Sequence, residues 1–226
     1  MDTIINQLKS CILFKKYSPS EIEEIISSIK YEVKTYPKSE ILALEGDHCS
    51  KLSIILKGNI DLQSLFPSGK VVTLAHLNES SIFGEALVFS SNNLYPITVI
   101  TSTITTVLSI NKEEILHLLS KDEIFLENFL SLLSNKLLFL NKKIKLLSLD
   151  SIRGKLCSYI IIEYKKQKTN KLTINLSKKA LAEYLGVQRP SLSREFIKMK
   201  EDNLIDYDKD IIYIKDIELI ENELLK

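Results

Sequence analysis

Apolar residues recur along residues 121–149 with the spacing of a helix that pairs with an identical partner. They alternate at intervals of four and three residues, at Leu126, Leu130, Leu133, Leu137, Leu140, Ile144 and Leu147. An unbroken seam of this kind, at the a and d positions of a heptad, is typical of a coiled coil. The pattern predicts a long dimerisation helix at 121–149, and therefore a homodimer.

A second apolar row lies beside this seam, at Phe125, Phe129, Leu132, Phe139 and Leu146. A helix that is apolar on two flanks must also cover part of its own chain. The alternative to a dimer is a core helix of one large domain, although such a helix does not need seven unbroken a and d positions. Asp150 and Ser151 follow with the chemistry of a helix cap and predict that a second domain begins at residue 150.

The pattern on the N-terminal side of the seam changes from helical to strand-like. Residues 1–32 predict short helices, because Ser18-Pro19-Ser20-Glu21 reads as a cap followed by an apolar helix face. Strand-like runs follow at residues 53–56, 71–74, 98–100 and 105–110, and glycines separate them. Many short strands at near-regular spacing indicate an antiparallel β-roll or jelly roll at residues 1–120, whose interior can hold one small ligand.

Residues 150–226 return to helical periods interrupted by short strands. A helix is predicted at 151–168, a strand at 171–176, and two helices at 178–185 and 189–203 with Gly186 between them. A hairpin is predicted at 204–215. The complete chain is therefore expected to be α+β, with a β-roll, a long helix and a C-terminal winged helix-turn-helix.

Charge is distributed unevenly along the chain. Residues 1–150 carry 15 lysines and arginines against 17 acidic residues, residues 151–200 carry 12 against 3, and residues 201–226 carry 3 against 9. The overall net charge of +1 conceals this basic block. A basic block that coincides with a helix-turn-helix indicates that the segment binds a polyanion, and specifically double-stranded DNA.

The side chains of the helix-turn-helix suit both bases and phosphates. Arginine can hold guanine O6 and N7 with two hydrogen bonds, glutamine can read adenine, and serine and lysine can contact phosphates. The alternative is a purely structural two-helix hairpin, which does not require exposed arginines next to the turn. The residues that we expect to contact DNA are Ser177, Lys178, Lys179, Gln188, Arg189, Ser191, Ser193, Arg194 and Lys198.

A series of short motifs supports a resemblance over nearly the whole chain. They are Glu45-Gly46-Asp47, Leu56-Lys57-Gly58, Ser68-Gly69-Lys70, Phe83-Gly84-Glu85, and Leu185-Gly186-Val187 through Leu192-Ser193-Arg194. In this order, the chain resembles the Crp/Fnr family of bacterial transcription regulators. The resemblance implies that Arg194 reads a guanine in each half of an inverted repeat, that Ser193 contacts the same half-site, and that RNA polymerase is a further partner. Pro190 departs from the family, many members of which carry a base-reading glutamate there.

The sensor end of the chain departs from the cyclic-nucleotide-binding members that it resembles. Those members follow Gly-Glu with an Arg-Ser pair that holds the cyclic phosphate, whereas this chain follows Gly84-Glu85 with Tyr95-Pro96. A buried phosphate without its cation loses several kcal/mol, and Phe139-Leu140 stands where adenine-binding members carry hydroxyls. We expect no cyclic AMP binding. The candidates for an effector pocket are Gly84, Glu85, Tyr95, Phe129 and Phe139.

Other cofactors find little support in the sequence. An iron–sulfur cluster needs about four thiolates, whereas Cys11, Cys49 and Cys157 are far apart. Haem is an open alternative with ligands among His48, His76, His117, Cys11 and Cys49, as is a thiol switch at Cys11 or Cys49. No metal site is predicted. The effector remains open, and a regulator controlled only by its abundance is the alternative.

Enzymatic activity and membrane insertion are not expected. No metal-binding, nucleophile or phosphate-loop motif occurs, so the sequence predicts no catalytic residue. No apolar run approaches the roughly 18 residues of a membrane span, and the N-terminus lacks the pattern of a signal peptide. We therefore expect a cytoplasmic protein with no membrane partner.

Overall fold

The computed structural model describes residues 2–66 and 68–225. The chain divides into two compact units, Met1–Lys136 and Leu137–Lys226. Antiparallel sheets and helices build both units, so the predicted α+β class is confirmed. No helix in the described parts of the chain is both long enough and apolar enough to cross a membrane.

Short helices begin the first unit, as predicted. They are α1 (Asp2–Leu8), a 3-10 turn (Ile12–Phe14) and α2 (Pro19–Ser27). The Ser18 hydroxyl accepts a hydrogen bond from the Glu21 amide at 3.3 Å, and the Glu21 carboxylate accepts one from the Ser18 amide at 2.7 Å. This reciprocal pair satisfies two amides that the helix itself leaves without partners. The cap that the sequence predicted is therefore confirmed.

Eight strands follow and form two antiparallel sheets. They are β1 (Tyr31–Tyr36), β2 (Ile41–Ala43), β3 (Lys51–Lys57), β4 (Ile60–Leu65), β5 (Val71–Leu77), β6 (Ile82–Phe83), β7 (Thr98–Thr101) and β8 (Thr105–Asn111). One sheet has the order β1-β8-β3-β6 and the other β2-β7-β4-β5. All four predicted strand runs lie within β3, β5, β7 and β8.

Strand β3 separates two hydrophobic cores because its side chains alternate between the faces of the sheet. Ile54 and Leu56 pack outwards against the helices, whereas Ile55 packs inside the roll with Ile60 and Val107. The roll therefore has an interior of its own, which is where the sequence placed a ligand cavity.

Two helices, rather than one, follow the roll. Helix α3 (Lys112–Lys121) was not predicted, and α4 (Glu123–Leu147) begins two residues later than the predicted start at Lys121. Asp122 between them is extended, and its carboxylate accepts a hydrogen bond from the Phe125 amide at 3.0 Å. The aspartate therefore starts α4 as a cap, which the heptad spacing did not reveal.

The second unit is a winged helix-turn-helix. Its elements are α5 (Ile152–Gln167), β9 (Lys171–Thr173), α6 (Lys178–Leu185), α7 (Arg189–Glu201), β10 (Ile205–Asp208), β11 (Ile211–Ile214), α8 (Ile217–Asn222) and a 3-10 turn (Glu223–Leu225). The three strands form an antiparallel sheet in the order β10-β11-β9. The predicted hairpin and Ser151 cap are confirmed. Helix α7 ends at Glu201, two residues earlier than predicted.

Candidate DNA interface and sensor site

The turn between α6 and α7 is fixed by two local features. The Ser177 hydroxyl accepts a hydrogen bond from the Ala180 amide at 3.2 Å and caps α6. Gly186 ends α6 with a φ of +66°, and a Cβ atom there would lie 2.7 Å from Leu147 Cδ2. Glycine is therefore required both by the left-handed backbone and by the close packing.

Helix α7 has a buried face and an exposed face. Leu192, Phe196 and Met199 are buried in the core of the second unit, and the helix starts with Pro190 in its first turn. Gln188 forms no capping hydrogen bond, so its amide is available to a ligand. The arginines at 189 and 194 are exposed, as is Lys198. The exposed face carries the donors that base edges and phosphates require.

The remaining predicted contacts differ in accessibility. Lys179 is exposed, whereas Ser191 and Ser193 are half-buried. Lys178 is also half-buried, because its ammonium lies 4.7 Å from the centre of the Tyr207 ring and 5.5 Å from that of Phe196. A cation between two aromatic rings stabilises the packing of α6, α7 and the wing. Lys178 therefore has a structural role in addition to any DNA contact.

The wing presents acidic as well as basic groups. Asp208, Lys209 and Asp210 form the turn between β10 and β11, and all three are exposed. Two carboxylates next to one ammonium give this tip no net attraction for phosphate. The basic charge of the unit is therefore concentrated on α5, α6 and α7 rather than on the wing.

An arginine that the sequence analysis overlooked contacts the recognition helix. Arg153 on α5 forms ion pairs with Glu195, Asp202 and Glu223. One signal in the sequence was available: the chain has only three arginines among its 30 basic residues, and all three lie between residues 151 and 200. Arginine is favoured over lysine where several carboxylates must be held at once.

Most of the predicted dimer seam is exposed to solvent. The exposed fraction is 54% for Leu130, 60% for Leu137, 55% for Leu140 and 64% for Ile144. Leu126 and Leu147 are also exposed, whereas Leu133 is half-buried against the core of the first unit. A row of mostly exposed leucines with one isoleucine on one helix face is typical of an interaction surface.

The second apolar row of α4 separates into two groups. Phe125, Phe129, Leu132 and Leu146 are buried within their units, which agrees with the prediction that α4 covers its own chain. Phe139 is instead 58% exposed. It lines none of the cavities described below, so the structure provides no contact between this residue and a ligand site.

The acidic residue of the Gly84-Glu85 pair is already bonded within the chain. Glu85 is only 6% exposed, and its carboxylate accepts a hydrogen bond from the Lys136 ammonium at 2.5 Å. Lys136 also donates to the Ile82 carbonyl at 3.3 Å. Gly84 has a φ of +82°, and a Cβ atom there would lie 2.6 Å from the Lys51 carbonyl. A ligand that recruits Glu85 must displace or share Lys136.

Tyr95 occupies the edge of the roll interior. It packs against the roll core that contains Phe83 and Val99, and it lines a cavity together with Cys49. Burial raises the pKa of the Tyr95 phenol, and the neighbouring Cys49 thiol raises it further. The phenol is therefore neutral at physiological pH and supplies no cation for a phosphate.

Two of the cavities in the first unit are relevant to an effector site. One has a volume of about 230 Å³ and is lined by Cys49, Tyr95, Ser53 and Ser109 with charged residues at its edge. The other, of about 560 Å³, is an apolar groove lined mainly by Phe89, Leu116, Leu119, Phe129 and the seam residues Leu126, Leu130 and Leu133. The groove therefore borders the seam directly.

The residues considered as haem ligands or redox thiols are dispersed. Cys11 and Cys49 are buried, whereas His48, His76 and His117 are exposed. Burial raises the pKa of the Cys11 thiol to about 11, so this thiol is protonated and unreactive at neutral pH. Within residues 2–66 and 68–225, no three His, Cys, Asp or Glu side chains are grouped as metal ligands.

Comparisons with known proteins match both units. The family model for the cyclic nucleotide-binding domain matches residues 33–122, and the model for the Crp-like helix-turn-helix domain matches residues 154–223. The first match lies within the roll and α3, and the second contains α6, α7 and the wing.

Individual relatives align with most of the chain. The chain is 24% identical to a global nitrogen regulator from Synechocystis sp., over 78% of this chain and 81% of that protein. It is 26% identical to an anaerobic regulatory protein from Bacillus subtilis, over 84% and 82% of the two chains. The crystal structure of the Thermus thermophilus catabolite activator protein aligns with a TM-score of 0.54 at 21% identity, over 95% of this chain and 98% of that one.

Proposed function

Because the chain belongs to the Crp/Fnr family of DNA-binding transcription regulators, we propose that it acts as a homodimer that reads an inverted repeat. We assign residues 1–120 to a sensor domain, 121–149 to dimerisation and 150–226 to DNA binding. RNA polymerase is the expected partner of the DNA-bound dimer.

The observation that carries this proposal is the exposed seam of α4. Six of its seven positions are exposed in the single chain, and Leu137, Leu140 and Ile144 form its most exposed stretch. A soluble protein gains about 25 cal/mol for each Å² of apolar surface that it removes from water. Pairing with a second seam buries these side chains at a and d positions. A two-fold dimer then presents two α7 helices to successive half-sites.

Within each half-site, we assign base reading to the start of α7. Arg194 is exposed and has no partner within the described residues, so its guanidinium can form two hydrogen bonds with a guanine. Gln188 and Arg189 are further candidates at the helix start. Lys179 and Lys198 are suited to phosphates, and Ser177 donates its hydroxyl hydrogen while its oxygen caps α6.

For the sensor domain, we propose control by a signal other than cyclic AMP. Glu85 is bonded to Lys136, and Tyr95 is a neutral phenol on the edge of the roll interior where related cyclic-nucleotide-binding chains carry an arginine. Neither group offers a cation to a cyclic phosphate.

An effector-independent regulator is the second candidate. The same pair, Glu85 with Lys136, satisfies the buried carboxylate without a ligand. A roll whose polar groups are already paired does not require a small molecule for its stability. Such a protein would respond to its own concentration, since dimer formation depends on concentration.

Selection of bound sequences from random DNA tests the proposal. We expect an inverted repeat whose half-sites are centred about one helical turn apart, with one conserved guanine in each half. Enrichment of a single, asymmetric half-site would contradict the homodimer. Comparing the affinity for the selected site before and after addition of metabolite extracts separates a regulated protein from an effector-independent one.

A further inference from the structure

We propose that Arg153 is a positioning residue for DNA recognition: it holds helix α7 in the rotation at which Arg194 can read a base. This inference rests on the proposed base contact of Arg194. It assigns a role to an arginine that does not itself lie on the recognition helix.

The guanidinium of Arg153 contacts helix α7 at two points. Its Nε lies 2.7 Å from a carboxylate oxygen of Glu195, and its Nη2 lies 2.6 Å from one of Asp202. Its Nη1 lies 3.7 Å from Glu223 in the final 3-10 turn. The planar guanidinium supplies several donors in fixed directions, so one side chain can hold three carboxylates together.

The spacing of the two contacts on α7 determines what they fix. Glu195 lies inside the helix and Asp202 caps its C-terminal end. Seven residues separate them, which is almost two turns and about 10 Å along the axis, so both lie on one face. Contact at two points along one face fixes the rotation of the helix about its axis as well as its tilt.

That rotation sets the direction of Arg194. Consecutive residues on an α-helix are about 100° apart around the axis. When Glu195 is held against Arg153 on α5, Arg194 is turned away from α5, and it is exposed in the structure. A two-hydrogen-bond contact with guanine needs the guanidinium at one angle and distance, so a small rotation of α7 weakens it.

Two of the three ion pairs are partly shielded from water. The side chains of Arg153, Glu195 and Glu223 are 25%, 14% and 12% exposed, respectively, whereas that of Asp202 is 49% exposed. Surface pairs exchange readily with solvent and contribute little. A half-buried arginine with three carboxylate partners loses much more when one partner is removed.

The ion pairs of Arg153 with Glu195 and Asp202 are called the clamp below. Two single variants remove one partner each: Arg153→Gln on α5 and Glu195→Gln on α7. The measured quantity is the ratio of affinities for the DNA site selected by the wild-type protein and for the same site with the guanine changed. We expect each variant to reduce this ratio about tenfold, as loss of a well-aligned base contact does. Circular dichroism shows whether each variant is folded at the assay temperature.

The two variants also separate positioning from simple electrostatics. Arg153→Gln removes a positive charge and Glu195→Gln removes a negative charge. If charge alone mattered, the first would weaken and the second would strengthen binding to all sequences, with the ratio unchanged. Lys165→Gln is the matched control: it removes a positive charge from the exposed end of the same helix, and we expect it to leave the ratio unchanged.

Arg194→Ala, measured in parallel, distinguishes the two proposals. If Arg194→Ala lowers the ratio and the clamp variants do not, the positioning role of Arg153 is refuted, whereas the base contact of Arg194 is supported. If Arg194→Ala leaves the ratio unchanged, both proposals fail. If Arg153→Gln is unfolded, Glu195→Gln alone decides, because an unchanged ratio in that folded variant overturns the clamp.

Discussion

The DNA-binding unit and the roll differ in how their polar groups are satisfied. On α7, the arginine at 194 and Lys198 are exposed and have no partner among the described residues. In the roll, Glu85 is bonded to Lys136, and the Cys49 thiol donates to the carbonyls of Lys51 and Gly84. A group that is already hydrogen-bonded within the chain has fewer free donors or acceptors to offer a ligand. The helix-turn-helix is thus prepared for an external partner, whereas the roll is satisfied internally.

This contrast shows that a match to the fold of a family does not imply a match to its ligand site. The family models match both units. The roll nevertheless carries Tyr95-Pro96 at the position where the cyclic-nucleotide-binding members that it resembles carry the Arg-Ser pair that holds the phosphate. The fold of the roll depends on the alternation of apolar residues along its strands, which tolerates such a change. Ligand recognition depends on a few polar groups, and in this roll one of them, Glu85, is bonded to Lys136.

The largest expected effect comes from breaking the seam. We expect the double variant Leu137→Lys with Leu140→Lys to be monomeric, since like charges at a and d positions repel across the interface. These residues are better targets than Leu133, which is half-buried in the first unit. Loss of the second DNA-binding head should reduce affinity for the inverted repeat about 100-fold or more. Analytical ultracentrifugation and DNA titration measure the two effects.

Leu138→Lys provides the matched control for the seam. Leu138 is as exposed as its neighbours at 56%, but it lies outside the a and d positions. We expect this variant to remain dimeric and to bind DNA normally. A double variant that stays dimeric would show that α4 is not the dimer interface.

The next effect tests the exposed arginine on the recognition helix. Arg194→Ala should cost about 1 to 3 kcal/mol for each half-site, because a two-hydrogen-bond contact with guanine is lost. Discrimination at that base pair should fall by the same amount. Titration against the selected site and against the site with the guanine changed measures both. Equal losses on the two sites would instead identify Arg194 as a phosphate contact.

The local parts of this structure could be predicted from the sequence, and the long-range pairs could not. The caps at Ser18 and Ser177 act over three residues, and the Gly186 turn is set by its own backbone, so short motifs reveal them. The break between α3 and α4 at Asp122 was not predicted, because an aspartate can lie within a helix or cap its start.

The pairs that distinguish the two units join distant parts of the chain. Lys136 and Glu85 are 51 residues apart, and Arg153 and Glu195 are 42 apart. Lysine and arginine are both common on helix surfaces, so the sequence around Lys136 or Arg153 does not indicate which carboxylate each one contacts. Only the tertiary packing brings these charges together, which is why the sequence analysis predicted neither pair.

A smaller effect should follow from breaking the internal pair of the roll. Lys136→Met leaves the Glu85 carboxylate, which is 6% exposed, without its cation. We expect a loss of about 1 to 3 kcal/mol in the free energy of unfolding, limited by the solvent exposure of Lys136. Denaturant titration measures it. The double variant with Glu85→Gln should recover much of the loss, and a double variant no more stable than Lys136→Met would refute the pairing.

A weaker, sequence-independent effect is expected at Lys179. Lys179→Ala should reduce affinity equally for the selected site and for the changed site, and it should lower the slope of log affinity against log salt by about one per contact. Lys179 is a better probe than Lys178, whose ammonium packs on Tyr207. Titration of both sites at two salt concentrations measures the slope, with Lys165→Ala as the control. A loss confined to the selected site would make Lys179 a base contact.

The last prediction is that cyclic AMP has no effect, and it tests the roll directly. At 1 mM, cyclic AMP should leave both the melting temperature and the DNA affinity unchanged, because Tyr95 supplies no charge to the phosphate and Glu85 is held by Lys136. A ligand at 100 times its dissociation constant stabilises the native state by about 2.7 kcal/mol. Binding with a dissociation constant near 10 µM would therefore raise the melting temperature by several degrees. An increase of that size would show that the roll binds cyclic AMP and that the ion pair of Glu85 with Lys136 does not prevent binding.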